Sequence, residues 1–153
     1  MIDNRSGNLS ALTTAGVSGV MSRHISSYAY SWYHCFDPQG NFVTFVRSNS
    51  SSGGQYDLYD AYGLRASNSP PNLSDPFMGF GGQAGYVSDG ETGLILCGQR
   101  YYDPLQGRWI TQDPIGRAGG DNLYAYCDGN PVMNFDPSGL QINKQIHIAA
   151  AGT

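Results

Sequence analysis

Residues 98–140 read GQRYYDPLQGRWITQDPIGRAGGDNLYAYCDGNPVMNFDPSGL. Gly, Pro, Asp and Asn recur every few positions, and the apolar residues between them are short runs rich in Tyr, Trp, Ile and Leu. Such punctuation leaves no room for long helices and favours short strands joined by tight turns. Two Asp-Pro-x-Gly tetrads stand out, beginning at Asp113 and Asp136, 23 residues apart, with Arg100 lying 13 residues before the first. In this tetrad Asp caps a type I turn, Pro fixes φ at the second position, and Gly suits the exit. Two carboxylates gathered near one guanidinium are also the parts of a peptide-bond hydrolase. Spacing alone leaves both meanings open, and turn capping is the commoner use.

Outward from this stretch the same grammar continues. The chain has 153 residues, at most one ordinary domain, with 21 Gly and 11 Tyr but only 13% charged residues. Tyr28 to Arg47 is predicted to form two strands around Asp37-Pro38-Gln39-Gly40, and Ser48 to Gln55 a flexible loop. Tyr56 to Arg65 begins another strand-and-turn unit. Asp37 and Asp60 are again 23 residues apart, as are Gly40 and Gly63, so the pattern suggests a repeated hairpin. Residues 1–27 are a poorly specified lead-in, and 66–76 a Pro-rich connection. Asp89-Gly90 signals a two-residue hairpin turn. Asn122 to Tyr126 alternates in strand fashion, with Leu123 and Ala125 on one face and a helical segment as the alternative.

Composition excludes several function classes. The formal charge is −4, and Lys144 is the single lysine, so no basic cluster offers a nucleic-acid footprint. No apolar run approaches a membrane span. The opening residues lack the basic start and apolar core of a signal peptide. Cys35, Cys97 and Cys127 are odd in number and widely spaced, and are expected as buried thiols. His34 beside Cys35 has no partner at metal-ligand spacing, and no cofactor motif is present. Gly119-Gly120 reads as a turn, since no P-loop lysine follows. Asp103 and Arg108 read as a turn and local pair, the tyrosines as packing, and His147 as a tail residue without partners.

Gly85-Tyr86 with Asp89, Glu91, Thr92, Gly93 and Leu94 opens a longer pattern. Arg100-Tyr101-Tyr102-Asp103-Pro104, Gly107-Arg108, Asp113-Pro114-Ile115-Gly116, Asn122-Leu123-Tyr124-Ala125-Tyr126, Asn130-Pro131 and Asp136-Pro137-Ser138-Gly139-Leu140 continue it. Together they resemble the RHS repeat-associated core domain of bacterial polymorphic toxins and Tc toxin C components. The match is strong over 77–140, and the units at 28–65 look like degenerate YD repeats. The resemblance implies an all-β, hairpin-rich ribbon, with one or two short helices in 105–135 near a C-terminal plug. It divides the chain into lead-in 1–27, YD-repeat hairpins 28–76, core domain 77–140 and a short variable tail 141–153.

That resemblance also implies a function. Such core domains plug a hollow YD-repeat shell and act as aspartyl autoproteases, cutting after Asp-Pro-x-Gly-Leu to release a C-terminal toxin. Carried over here, Asp113 and Asp136 are the carboxylate pair, Arg100 the associated arginine, and Leu140–Gln141 the cleaved bond. The implied partners are the remaining shell and a toxin segment, in a bacterial cytoplasm before release. The repeats present are too few to close a shell, and the 13 residues after Leu140 are too few for a folded toxin. Two aspartates within hydrogen-bond reach would share one proton, supplying a base for water and an acid for the peptide group. Arg100 would favour ionisation of whichever it touches, or stabilise an oxyanion. The rival from another class is a non-catalytic scaffold or truncated segment that associates through its strand edges.

Overall fold

The Asp37 turn shows how this sequence builds strands. Asp37 Oδ1 accepts the backbone N–H groups of Gln39 and Asn41, both at 2.9 Å, while its carbonyl accepts from Gly40 at 2.9 Å. The chain therefore reverses within four residues, and the flanking β-branched and aromatic residues pair. The computed structural model describes residues 2–3, 11–16, 19–25, 30–53, 56–66, 75 and 77–144.

Six antiparallel strands follow one another in a meander: β1 (Ile2–Asp3), β2 (Ala11–Gly16), β3 (Gly19–Ile25), β4 (Ser31–Phe36), β5 (Phe42–Arg47) and β6 (Ser50–Gly53). A second sheet, in the order β10-β9-β8-β7, contains β7 (Val87–Ser88), β8 (Ile95–Cys97), β9 (Arg100–Asp103) and β10 (Arg108–Trp109). Finally β11 (Asn134–Phe135) pairs with β12 (Asn143–Lys144). Among the described residues, helix is limited to three short 3-10 turns, at Gly82–Ala84, Gly116–Gly119 and Cys127–Gly129. The architecture is all-β and hairpin-rich, as the composition predicts.

Two cores hold the sheets. Trp32, Phe42, Phe45 and Met78 form one, with Trp32 stacked on Phe45 at 5.1 Å between ring centroids. Phe80, Tyr86, Ile95, Cys97, Tyr102, Trp109, Tyr126 and Cys127 form the other. Full burial of each large side chain contributes roughly 1.5–3 kcal/mol, so Tyr86, Tyr102 and Tyr126 are structural. Segment 77–83 joins the two, since Phe42 N–H donates to Gly79 O at 3.0 Å and Gln83 N–H to Gly40 O at 3.1 Å.

Several local expectations are corrected. The supposed lead-in supplies β2 and β3, because pairing Arg23 with Trp32 and Ser22 with Tyr33 recruits a Ser/Thr-rich segment of weak alternation into the sheet. Ser50–Gly53, expected as loop, is β6 on the edge of β5. Residues 56–66 make only a turn and one bridge, Tyr59 to Arg65. Asp89-Gly90 is not a two-residue turn. Asp89 N–H donates to Leu94 O at 2.9 Å, and Asp89 Oδ2 accepts from Thr92 Oγ1 at 2.7 Å, so the loop is wider. Asn122 to Tyr126 is not a strand either: Asn122 Oδ1 accepts Tyr124 N–H at 3.1 Å, folding a turn from which only Ala125 bridges to Arg108. Asn143–Lys144, placed in the tail, forms β12.

Candidate functional site

Aspartate turns recur, and their second carboxylate oxygen distinguishes them. Asp60 Oδ1 accepts Tyr62 and Leu64 N–H at 2.9 and 2.8 Å, repeating the Asp37 arrangement. Asp113 Oδ1 accepts Ile115 N–H at 3.0 Å, and Asp136 Oδ1 accepts Leu140 N–H at 3.1 Å. All four therefore cap turns. At Asp37 the remaining oxygen accepts Asn41 Nδ2 at 2.9 Å. At Asp113 and Asp136 it faces Arg100 instead.

Arg100 opens β9 and is 3% exposed. Its Nη2 lies 3.0 Å from Asp113 Oδ2 and 3.5 Å from Asp136 Oδ2. Those carboxylate oxygens are thus separated by no more than the sum of these distances. Nε donates to Gly139 O, and Nη1 to Leu123 O at 3.4 Å. The guanidinium also stacks over Trp109, 4.1 Å from the ring centroid. The three residues singled out in the sequence therefore meet at one buried point.

The backbone explains why they meet. Cys97 pairs with Arg100 across a tight hairpin, and the Asp136–Leu140 turn lies directly on it: Gln99 N–H donates to Ser138 O at 3.0 Å. A Cβ on Gly139 would come within 2.4 Å of Cys97 O, and one on Gly98 within 2.3 Å of Ser138 O. Only glycine permits this approach. Leu123 O brings in the other tetrad, accepting both Asp113 N–H at 2.9 Å and the Arg100 guanidinium.

The Leu140–Gln141 peptide is held by the same turn. Gln141 N–H reaches Asp136 Oδ1 at 3.1 Å and Ser138 Oγ at 3.2 Å, while Ser138 Oγ donates to Asp136 Oδ1 at 3.1 Å. From beneath, Tyr86 OH donates to Asp136 O at 2.5 Å. Burial pushes the Tyr86 hydroxyl well above its ordinary value, so it remains a donor. Sequence reasoning missed the roles of Tyr86, Ser138 and the Leu123 carbonyl. All three lie in the quoted motifs, but a motif does not say what each residue touches.

Other candidates have structural uses. Arg108 faces Asp103 across the β9–β10 hairpin, as the local pair expected, and stacks on Tyr124 at 4.6 Å, while Asp103 caps the turn through Leu105 and Gln106 N–H. Cys97 and Cys127 are buried, and Cys35, expected to be buried as well, is only half-buried; all three are free thiols. His34 contacts buried Asp75 at 3.1 Å, and Arg23 contacts its other oxygen at 3.0 Å. No sequence signal links these three. Among the described residues no cluster of three or more His, Cys, Asp or Glu could hold a metal, and no helix is long and apolar enough to cross a membrane. His147 lies outside the described residues.

Known proteins share this arrangement of strands and turns. The family model described as Teneurin YD-shell matches residues 21–132. The putative uncharacterized protein YibJ of Escherichia coli K12 is 41% identical over 108 residues, 71% of this chain and 44% of YibJ. The probable deoxyribonuclease RhsA of Dickeya dadantii is 46% identical over 66 residues, 43% of this chain and 4% of RhsA. The crystal structure of TcdB2-TccC3-TEV superimposes with a TM-score of 0.68 at 28% identity, covering 85% of this chain and 6% of that one. The chain thus spans less than half the length of these relatives. By the extent of the family match, the chain belongs to the Teneurin YD-shell family and is an RHS/YD-repeat, toxin-associated domain.

Proposed function

We propose that this domain cuts its own backbone once, between Leu140 and Gln141, as part of a YD-repeat shell that holds a C-terminal toxin segment. The observation that carries the proposal is the shared guanidinium: Arg100 Nη2 contacts Asp113 and Asp136 while Asp136 Oδ1 stands 3.1 Å from the Gln141 nitrogen. Asp113 is nearer to Arg100, and its side chain is more exposed, 8% against 2% for Asp136. It is the carboxylate that meets water, and Asp136 is the one that meets the peptide. The pair takes a proton from water, which adds to the Leu140 carbonyl carbon. As the C–N bond breaks, the pair passes that proton to the Gln141 nitrogen, leaving a carboxyl on Leu140 and an amine on Gln141. The guanidinium is already engaged through Nε, Nη1 and Nη2, which favours its holding the pair over binding the oxyanion. A single intramolecular turnover needs only modest chemistry, because the peptide is permanently at high effective concentration.

Intact-mass spectrometry of the wild type, Asp113→Asn and Asp136→Asn is the test. Cutting after Leu140 in the wild type alone is expected. A wild type that stays whole across a pH series in which it is folded would refute self-cleavage. A scaffold without catalysis is the second reading, favoured by β1 and β6 ending their sheet with no further strand among the described residues. Such edges invite added strands. In that case all three chains keep full mass.

A further inference from the structure

One of the four aspartate turns is built differently from the others. At Asp37, Asp60 and Asp113 the carbonyl accepts the N–H three residues on, from Gly40, Gly63 and Gly116, at 2.9, 3.0 and 3.0 Å. At Asp136 the matching bond from Gly139 is stretched to 3.4 Å, and the carbonyl accepts the Tyr86 hydroxyl at 2.5 Å. The carboxylate grip changes with it. Asp37 and Asp60 hold the N–H groups two and four residues on, whereas Asp136 Oδ1 holds those of Leu140 and Gln141, four and five residues on, both at 3.1 Å. We infer that Tyr86 is a positioning residue: its hydroxyl draws the Asp136 carbonyl out of the ordinary turn, so that the carboxylate reaches the nitrogen of the bond to be cut. Its effect on rate rests on the self-cleavage reading.

The chemistry needs that reach. To pass a proton to the Gln141 nitrogen, a carboxylate oxygen must stand within about 2.6–3.2 Å of it. A turn closed like that of Asp37 would end its grip at Leu140, one residue short. Ser138 completes the change: it meets Oδ1 through its hydroxyl, at 3.1 Å, where the equivalent Gln39 and Tyr62 use their backbone N–H at 2.9 Å. Tyr86 can hold the carbonyl because its ring is fixed. The residue is 2% exposed, and a Cβ on Gly81 would come within 2.3 Å of the ring. Gly81 N–H donates in turn to Asn41 Oδ1 at 2.9 Å, so the ring is seated on the Asp37 hairpin. With the Tyr86 proton given to Asp136 O, the Tyr126 hydroxyl, 3.3 Å away, donates to the Tyr86 oxygen and does not touch the turn.

The test follows cleavage of the full chain by mass in two single-hydroxyl variants. Tyr86→Phe keeps the ring and is expected to slow cleavage roughly 10- to 100-fold, since a misplacement of about 1 Å can cost about 100-fold. Tyr126→Phe removes the neighbouring buried hydroxyl, so it is expected to lower the urea midpoint comparably and leave the rate unchanged. A wild-type rate in Tyr86→Phe, or equal slowing in both variants, overturns the inference. A second readout needs no cleavage. In the Asp113→Asn chain, hydrogen exchange at the Gln141 amide is expected to be slower than at the Gly139 amide, and Tyr86→Phe is expected to reverse that order as the turn closes. An order that the substitution leaves unchanged overturns the positioning role. Gln141 exchanging faster than Gly139 with Tyr86 in place overturns it outright, whether or not Tyr86→Phe folds. If the wild type stays whole, self-cleavage fails on its own account, and the exchange order alone decides whether Tyr86 sets the grip.

Discussion

Arg100→Met removes the guanidinium while keeping an unbranched apolar chain against Trp109. The wild-type contacts fall into a strong and a weak group. The 3.0 Å pair with Asp113 and the bond to Gly139 O are strong; the 3.5 Å contact with Asp136 and the 3.4 Å contact with Leu123 O are weak. All the charged partners are nearly buried. A charge-assisted hydrogen bond contributes about 1.5–3 kcal/mol. Stranding a buried carboxylate by removing its partner costs about 3–5 kcal/mol. Because the weak contacts add little, the expected loss is about 4 kcal/mol, roughly 10 °C in Tm for a domain of this size. Urea unfolding followed by tryptophan fluorescence reads it, scored on chains of unchanged mass. The sharper readout is rescue. Arg100→Met with Asp113→Asn should be more stable than Arg100→Met alone, since one stranded charge is gone. A loss below about 1 kcal/mol, or no rescue, would refute the buried three-residue cluster whatever the outcome for cleavage.

Three further outcomes are expected. Gly139→Ala should destabilise clearly more than Gly116→Ala: both have positive φ, costing about 1–2 kcal/mol, but only the Gly139 Cβ meets backbone, at 2.4 Å from Cys97 O. Equal urea midpoints would contradict the close approach of turn to hairpin. Thiol labelling at pH 8 should modify Cys35 alone in the folded chain, because burial removes access to Cys97 and Cys127 and pushes the Cys127 thiol up to about 12; three rapid equivalents would contradict this. For Asp75, burial opposes ionisation, yet the His34 bond and the His34 and Arg23 charges outweigh it and hold the carboxyl below its ordinary 3.8. A depressed folded value means stability present above 3.8 and lost as pH falls through the lower value. Asp75→Asn should lack that part of the acid dependence measured by urea titration, and an unchanged profile would sink the assignment.

How much of this was legible depended on whether the signal was local. The Asp37 hairpin, the shortness of the helices among the described residues and the aromatic core all follow from turn residues and from the residues between them. β2 and β3 were not legible, since their Ser, Thr and Gly content carries little alternation and their strand state comes from pairing with β4. The Asp89 loop was misread because an Asp-Gly pair looks the same whether the reversal closes after two residues or, as here, at Leu94 through Thr92 Oγ1. Asn122 was misread for a related reason: its side chain caps a turn that apolar alternation alone would call a strand. At the site, Arg100, Asp113 and Asp136 were found through the resemblance, not through spacing. Tyr86 and Ser138 lay in the same motifs, but their bonds to the Asp136 carbonyl and carboxylate depend on the fold.

The opposition between turn cap and catalytic carboxylate is removed by the geometry. Each aspartate has two oxygens, and in this chain Oδ1 caps the turn at Asp37, Asp60, Asp113 and Asp136 alike. Capping therefore carries no information about chemistry. What differs is the partner of Oδ2: at Asp37 it is the Asn41 amide, a neutral donor four residues away, and at Asp113 and Asp136 it is one buried guanidinium. A turn is a favourable place to build such a pair. Its backbone N–H groups fix the carboxylate plane without using the second oxygen, and the tight glycine contact at Cys97 brings the next peptide within reach of the first. The repeat thus supplies rigid carboxylates at regular intervals, and a single arginine, placed by an adjacent hairpin, distinguishes two of them from the rest. On this argument Asp37→Asn should cost stability and leave cleavage intact, whereas Asp113→Asn should abolish cleavage; loss of cleavage in both would place the effect in the turns and not in the shared guanidinium.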